Sequence, residues 1–388
     1  MKSNRQALAW GMIASSVWGA FAQECTTSGG LWNFTSQASV DLVTHNCTIL
    51  NGDVTVSPSY SGSLTLNNIT NITGEIYYYQ NQTVDLTSVD LPDLLYAGAV
   101  DIENTPSLTR LSAPKVTEVP DGVMVVIIAN SSALVEFEFP ELVDTNGVIL
   151  FANISSVDLT SLESTQFVSM AGTGDGIALD FPSLREVGML DLVLSFSSFS
   201  APLLETIGTS EGLATGDGIL LWSSGDPVDI SFPKLTYVAG NIQLSENINS
   251  LSVPLLTTAA TTTNTSEGGM AIYPAIPFTV DFTSLANASS ILLDGNISSA
   301  LFPVLETVDY IEITSTLPFN CSSYDAVQAR AETTAFADKW FCNSTYTNTT
   351  STTTKATKSD AGRPVPVGVG LSGCVVAAMV GLLGLSLW

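Results

Sequence analysis

Val89-Asp-Leu-Pro-Asp-Leu94 returns 22 residues later as Leu111-Ser-Ala-Pro-Lys-Val116, and the reading of that phrase decides the fold. Its form is apolar, any, apolar, Pro or Thr, any, Leu or Val. It recurs as Phe137-Glu-Phe-Pro-Glu-Leu142, Val157-Asp-Leu-Thr-Ser-Leu162, Leu179-Asp-Phe-Pro-Ser-Leu184 and Phe199-Ser-Ala-Pro-Leu-Leu204. It continues as Ile230-Ser-Phe-Pro-Lys-Leu235, Leu251-Ser-Val-Pro-Leu-Leu256, Val280-Asp-Phe-Thr-Ser-Leu285 and Ala300-Leu-Phe-Pro-Val-Leu305, and Leu64-Thr-Leu66 opens a degenerate eleventh copy. Successive starts lie 22, 26, 20, 22, 20, 31, 21, 29 and 20 residues apart. A modal period near 20–22 residues means stacked supersecondary units, a solenoid.

Many units hold a second, alternating apolar patch: Val148-Ile-Leu150, Leu190-Asp-Leu192, Ile242-Gln-Leu244, Ile291-Leu-Leu293 and Ile311-Glu-Ile313. Period-two alternation of β-branched and Leu residues argues for short strands whose alternate side chains line a shared core. Proline cannot donate to a ladder, so the Pro of the phrase is expected to end a strand or take a corner. No segment between Tyr60 and Pro318 shows helical periodicity. The expectation is an all-β parallel solenoid with disulfide-closed ends. A short capping helix is expected from Ser322-Ser-Tyr-Asp325 into Ala326-Val-Gln-Ala-Arg-Ala331, which offers a Ser cap, an early acid and good helix formers.

Both ends of the chain read as addresses. Lys2 and Arg5 precede an apolar run that closes on Ala20-Phe21-Ala22, the form of a secretory signal peptide cleaved before Gln23. Leu371 to Trp388 is uncharged, and Ser359-Asp360-Ala361-Gly362 with the spacer Arg363–Gly370 precedes it. Small residues, spacer and apolar tail describe a GPI-attachment signal with Asp360 as the anchored residue and Ser359 as its near equal. The expected organisation is a signal peptide at 1–22, a solenoid ectodomain at 23–342, a Ser/Thr-rich stalk at 343–360 and a GPI propeptide at 361–388.

Of five cysteines, Cys374 lies in the tail, and the other four allow three pairings. Spacing favours Cys25 with Cys47 and Cys321 with Cys342, bridges at the ends of the stack where a solenoid needs sealing. Sequons stand at Asn33, Asn46, Asn68, Asn71, Asn81, Asn130, Asn153, Asn264, Asn287, Asn296, Asn320, Asn343 and Asn348. Asn153 and Asn296 also open the turns Asn153-Ile-Ser-Ser156 and Asn296-Ile-Ser-Ser299, alongside Ser195-Phe-Ser-Ser198 and Asn247-Ile-Asn-Ser250. There a side chain turned inward would bond the neighbouring coil, and that structural role is favoured over glycosylation.

Composition excludes several functions. Asp and Glu number 37 against 11 Lys and Arg, giving −26, and a chain so acidic repels nucleic acid. Three of the basic residues, Lys2, Arg5 and Arg363, fall in the expected leader and tail, so the mature balance is −29. One histidine, His45, leaves no multi-His metal centre, and its place beside a sequon and Cys47 reads as a surface cap. Asp90, Asp158, Asp180 and Asp281 all occupy the second slot of the phrase, where Ser112, Ser200, Ser231, Ser252 and Leu301 also stand. A slot repeated down the stack reads as a solvated face, not as the paired carboxylates of a glycosidase. Thr173-Gly-Asp-Gly176 and Thr215-Gly-Asp-Gly218 read as turns, not as calcium loops through Asp175 and Asp217. The long spacings at Ile207–Gly218 and Thr257–Ala275 follow one phase of the repeat and are expected to project from one face.

Signal, early Cys pair, apolar-x-apolar-Pro-x-Leu repeats, late Cys pair, Ser/Thr stalk and GPI signal, in this order, resemble the fungal GPI-anchored cell-wall organisation family, related to yeast sporulation-specific and extracellular-mutant proteins. Asn104-Thr-Pro-Ser-Leu-Thr-Arg-Leu-Ser-Ala-Pro-Lys-Val116 is the stretch most like that family's repeat, which is itself leucine-rich-repeat-like and similar to the L domains of growth-factor receptors. The resemblance implies a non-enzymatic surface glycoprotein without cofactors, held on the outer leaflet through GPI or passed to the wall, and in contact with wall polysaccharide or wall proteins. The alternative is a polysaccharide- or ligand-binding receptor-like module.

Overall fold

The structure, a computed structural model, describes residues 23–78, 84–127, 135–172, 176–208, 217–260, 269–321 and 340–344. It is an all-β parallel solenoid of about 11 turns. One face is a long ladder through Glu24–Phe34, Ile49–Val56, Asn71–Tyr77, Tyr96–Glu103, Glu118–Ile127, Asp144–Phe151, Ser164–Ala171 and Glu186–Val193. That ladder continues to Thr307–Ser315 and ends on Trp340–Ser344. The second face begins as a five-stranded sheet from Ser61–Thr65 to Ile154–Asp158, followed by the pair Ile177–Asp180 and Phe196–Ser200. Further on, Asp217–Ser231 and Asn241–Ser252 run through the corner and join both faces.

The phrase read from the sequence is the register of the second face. Leu64, Val89, Leu111, Phe137 and Val157 pair in succession, as do Leu179 with Phe199 and Ile230, Leu251, Val280 and Ala300. Leu64 thus begins the expected additional turn. On the long face, Val148, Val168, Leu190, Ile219, Ile242, Met270, Ile291 and Ile311 stack in the same way and are all buried.

Proline takes the corner because the corner is a β-turn. In each phrase the carbonyl of the third residue accepts from the N–H of the sixth, as from Leu94 to Leu91 (3.3 Å) and from Leu235 to Phe232 (3.3 Å). Pro then occupies the second turn position, where its fixed φ fits and its missing N–H costs nothing. The two Thr phrases solve the same problem differently. Thr160 and Thr283 donate their N–H groups to the side chains of Asp158 (3.3 Å) and Asp281 (3.0 Å), the slot-two acids of their own phrases. Thr283→Pro removes that donor and leaves the Asp281 carboxylate without its cap, so it is expected to keep the fold but lose about 1 kcal/mol in denaturant titration, despite restricting the unfolded chain.

Large and small residues are mixed at equivalent corner positions to fill the core. Ala201 leaves room at its own corner, and Phe199 packs between Phe181 (ring centroids 6.2 Å) and Phe232 (5.4 Å) of the adjacent coils. Such interdigitation is what a core at crystal-like density requires.

The ends are sealed as the cysteines suggested: Cys25 bonds Cys47 and Cys321 bonds Cys342. The sequence reading missed a helix at the first end, Gln37–Thr44. Its signal was Ser36 followed by Ser39, a reciprocal capping box, and it buries Val40 and Thr44 toward the first coils. Gln37 ties it down by donating to the Thr65 carbonyl and accepting from the Tyr60 hydroxyl. The helix expected from Ser322 onward lies outside the described residues, as do residues 1–22, the tract from 345 to 360 and the tail.

Candidate functional site

The slot-two acids are engaged along the second face. Asp90, Ser112, Glu138 and Asp158 stack in register, and Arg110 spans them, 2.8 Å from Asp90 and 2.7 Å from Glu138. The hydrogen bond from Arg110 lowers the Glu138 pKa and raises that of the guanidinium. Arg110 is 44% exposed, so the clamp is worth at most about 1 kcal/mol and serves mainly to relieve repulsion along the row. Asp158 and Asp281 are occupied as turn caps. His45 is exposed at the C-terminus of the helix, its N–H donating to the Asp41 carbonyl. Among the described residues no three His, Cys, Asp or Glu side chains are placed to hold a metal ion, and Asp175 lies outside them.

A second acidic group sits on the outer side of the long face, where Asp53, Glu75, Asp101 and Glu103 crowd together. Burial and then the charge of Glu103 push Asp101 up to about 7, and one of its carboxylate oxygens is buried with no partner among the described residues. Burial, followed by the charges of Asp101 and Asp53, raises Glu75 as well.

The concave site lies at the edge where the second face turns into the long one. Asp144, Thr145, Asn146, Ser164, Thr165, Gln166, Glu186 and Gly188 line a shallow groove of about 360 Å³. Its floor is set by Thr145 and Thr165, both buried, whose hydroxyls turn back to the carbonyls of Val119 (3.4 Å) and Phe167 (3.3 Å). Asp144, Ser164 and Glu186 form its rim, and they belong to a longer register row that continues beyond the groove to Glu118 and Tyr96 on one side and to Thr206 and Tyr237 on the other. Ser164 donates to Asp144 at 3.3 Å. Beside the groove the Phe167 ring lies over Gly147, where a Cβ would stand only 2.3 Å from Cζ of the ring. Only glycine at 147 lets that ring lie down on the sheet. The row was not visible in the sequence, because its members share no residue type and only the register brings them together.

The two long spacings break the ladder on this same edge. Thr206–Ile207 and Thr258–Ala260 belong to one ladder level, and Gly208 (φ 84°) and Gly269 (φ 133°) stand where the chain leaves and re-enters it. An added Cβ at either glycine would meet a neighbouring carbonyl oxygen, of Ala239 at 2.1 Å or of Ser290 at 2.4 Å. The excursions themselves, 209–216 and 261–268, lie outside the described residues.

Of the sequons, Asn33, Asn46, Asn68, Asn320 and Asn343 are exposed and Asn71 and Asn287 half-buried, while Asn81, Asn130, Asn264 and Asn348 lie outside the described residues. Asn296 donates its amide to the Ala275 carbonyl one coil back, and Asn247 does the same to Gly225 (2.7 Å). The inward ladder is thus present at both. The equivalent partner of Asn153 falls in 128–134, outside the described residues. Glycopeptide mapping is expected to find Asn296 bare and Asn33 and Asn46 modified; sugar on Asn296 would contradict the ladder.

No family model matches the chain, and no solved structure does. Among curated proteins it is similar to cell wall protein ecm33 of Schizosaccharomyces pombe. The two are 28% identical over 157 residues, 39% of this chain and 32% of that protein. The chain spans about a third of the relative it matches.

Proposed function

We propose that the chain is a non-enzymatic glycoprotein of the fungal cell surface, anchored through GPI at Asp360, that supports the organisation of the cell wall. The observation that carries this reading is the similarity to a cell wall protein, on a chain whose repeats form a β-solenoid stapled at both ends by disulfides. Disulfides persist in oxidising compartments, which agrees with export. The sequons would supply surface hydration to a chain of which only 12% of residues are charged. The acids of the repeat support a structural role, because they cap turns and bind Arg110 and are not left facing one another across a cleft.

Treating intact cells first with a phosphatidylinositol-specific phospholipase and then with a glucanase tests the anchor. Release by the phospholipase is the expected result for a lipid-held pool, and release only by glucanase shows transfer to the wall. A chain freed by neither, or found inside the cell, would overturn the reading.

A further inference from the structure

We propose that the row from Tyr96 to Tyr237 is a docking face for a linear, neutral polysaccharide lying along the solenoid axis. The proposal rests on the wall reading above and gives it a site. Seven strands contribute one residue each: Tyr96, Glu118, Asp144, Ser164, Glu186, Thr206 and Tyr237. Neighbouring strands are spaced by about 4.8 Å, close to the advance of one pyranose along an extended chain, so each coil can meet one sugar. The row is then roughly 30 Å long, enough for several residues of polymer.

The chemistry along it suits sugar hydroxyls. Carboxylates at Glu118, Asp144 and Glu186 accept from hydroxyl groups, and the amides of Asn146 and Gln166 both donate and accept. Half-exposed Tyr96 and Tyr237 close the two ends, and the ring of Phe167 lies beside the middle. Aromatic faces of this kind pack against the C–H face of a pyranose while their polar neighbours take its hydroxyls.

Two further observations choose the ligand. No Lys, Arg or His lines the groove, three acids stand in the row, and Arg185 beside Glu186 is paired with Glu205 (3.7 Å), so the face is net acidic and an anionic polymer is repelled while a neutral one is not. The same ladder level bears sequons on either side of the row, at Asn71 and Asn287, and none at the positions from Tyr96 to Tyr237. In a chain so rich in sequons, a run of coils bare along one edge leaves room for a polymer that bulky glycans would exclude.

The full-length chain from a glycosylating host, titrated with soluble β-1,3-glucan, chitin oligosaccharides and, as the anionic control, alginate, tests the proposal. Saturable binding of a neutral glycan and none of alginate is expected, with the two neutral arms identifying the polymer. Gln166→Ala and Tyr237→Ala are each expected to weaken binding about tenfold, and Ser231→Ala, on the opposite face, to leave it unchanged. Glu163→Asn creates a sequon ending at Thr165 beside the groove. Its glycan is expected to abolish binding, and enzymatic deglycosylation of the folded protein to restore it. No neutral-glycan binding by the unaltered chain, or binding indifferent to all three groove changes, overturns the proposal. Wall residence, read by the phospholipase and glucanase digestions, is a separate measurement. A chain that resides in the wall without binding glycan sinks only the docking face, and one that binds glycan but never reaches the surface sinks only the wall reading.

Discussion

Phe282→Ala is expected to destabilise the protein by about 3–5 kcal/mol, the range for emptying a buried phenylalanine site. Phe282 is the third residue of its phrase, fully buried, its ring stacked on that of Phe302 one coil on (centroids 5.3 Å). The same residue's carbonyl closes the corner turn by accepting from Leu285 (3.1 Å), and its N–H donates to Leu301 (3.0 Å), so the backbone cannot easily shift to fill the space. Because each coil touches only its neighbours, the damage is local. Limited proteolysis should therefore cut near Phe282 and beyond while the coils around Phe137 and Phe139 stay protected. Thr283→Pro, one residue away, is the contrasting case: it changes the corner without opening a void. A loss below about 1 kcal/mol for Phe282→Ala would mean that the coils repack freely, against the interdigitated core.

The repeat was legible because burial acts on it in every coil. A residue such as Leu111 must be apolar, and its partners Val89 and Phe137 must be too, since all three line one ladder of the core. The corner Pro was legible for the same reason, since the same turn recurs in every phrase. The candidate groove was not. Glu118, Asp144, Ser164 and Glu186 face solvent, nothing fixes their type, and only the pairing of strands shows that they share an edge. The helix Gln37–Thr44 escaped because eight residues give little periodicity, and its serine capping box is weaker in sequence than one closed by Glu or Gln. The second slot shows the limit from the other side. In sequence its acids read as a solvated face, but the structure gives two of them definite work as turn caps, and Asp90 and Glu138 share one arginine.

Stability is expected to fall as pH rises from about 4 toward 7, and Asp101→Asn is expected to abolish much of that fall. Asp101 has its pKa raised from 3.8 to about 7, first by burial and then by the charge of Glu103. The folded protein therefore holds a proton that the unfolded chain releases near its ordinary carboxylate pKa. Below that value both states are protonated and the full stability is present. Between the two values the unfolded chain alone ionises and gains, and above about 7 the folded state carries the buried charge as well. Glu75 and Glu103 are shifted in the same direction, chiefly by burial, so they steepen the loss. Asp101 is partly open to solvent, which discounts the effect to about 1–2 kcal/mol. Denaturant midpoints at pH 4.5 and 7.5 measure it: the unaltered chain should lose stability between them, and Asp101→Asn should lose distinctly less. Equal midpoints at the two pH values, or a variant that tracks the unaltered chain, would show that the crowded carboxyls are relieved by solvent.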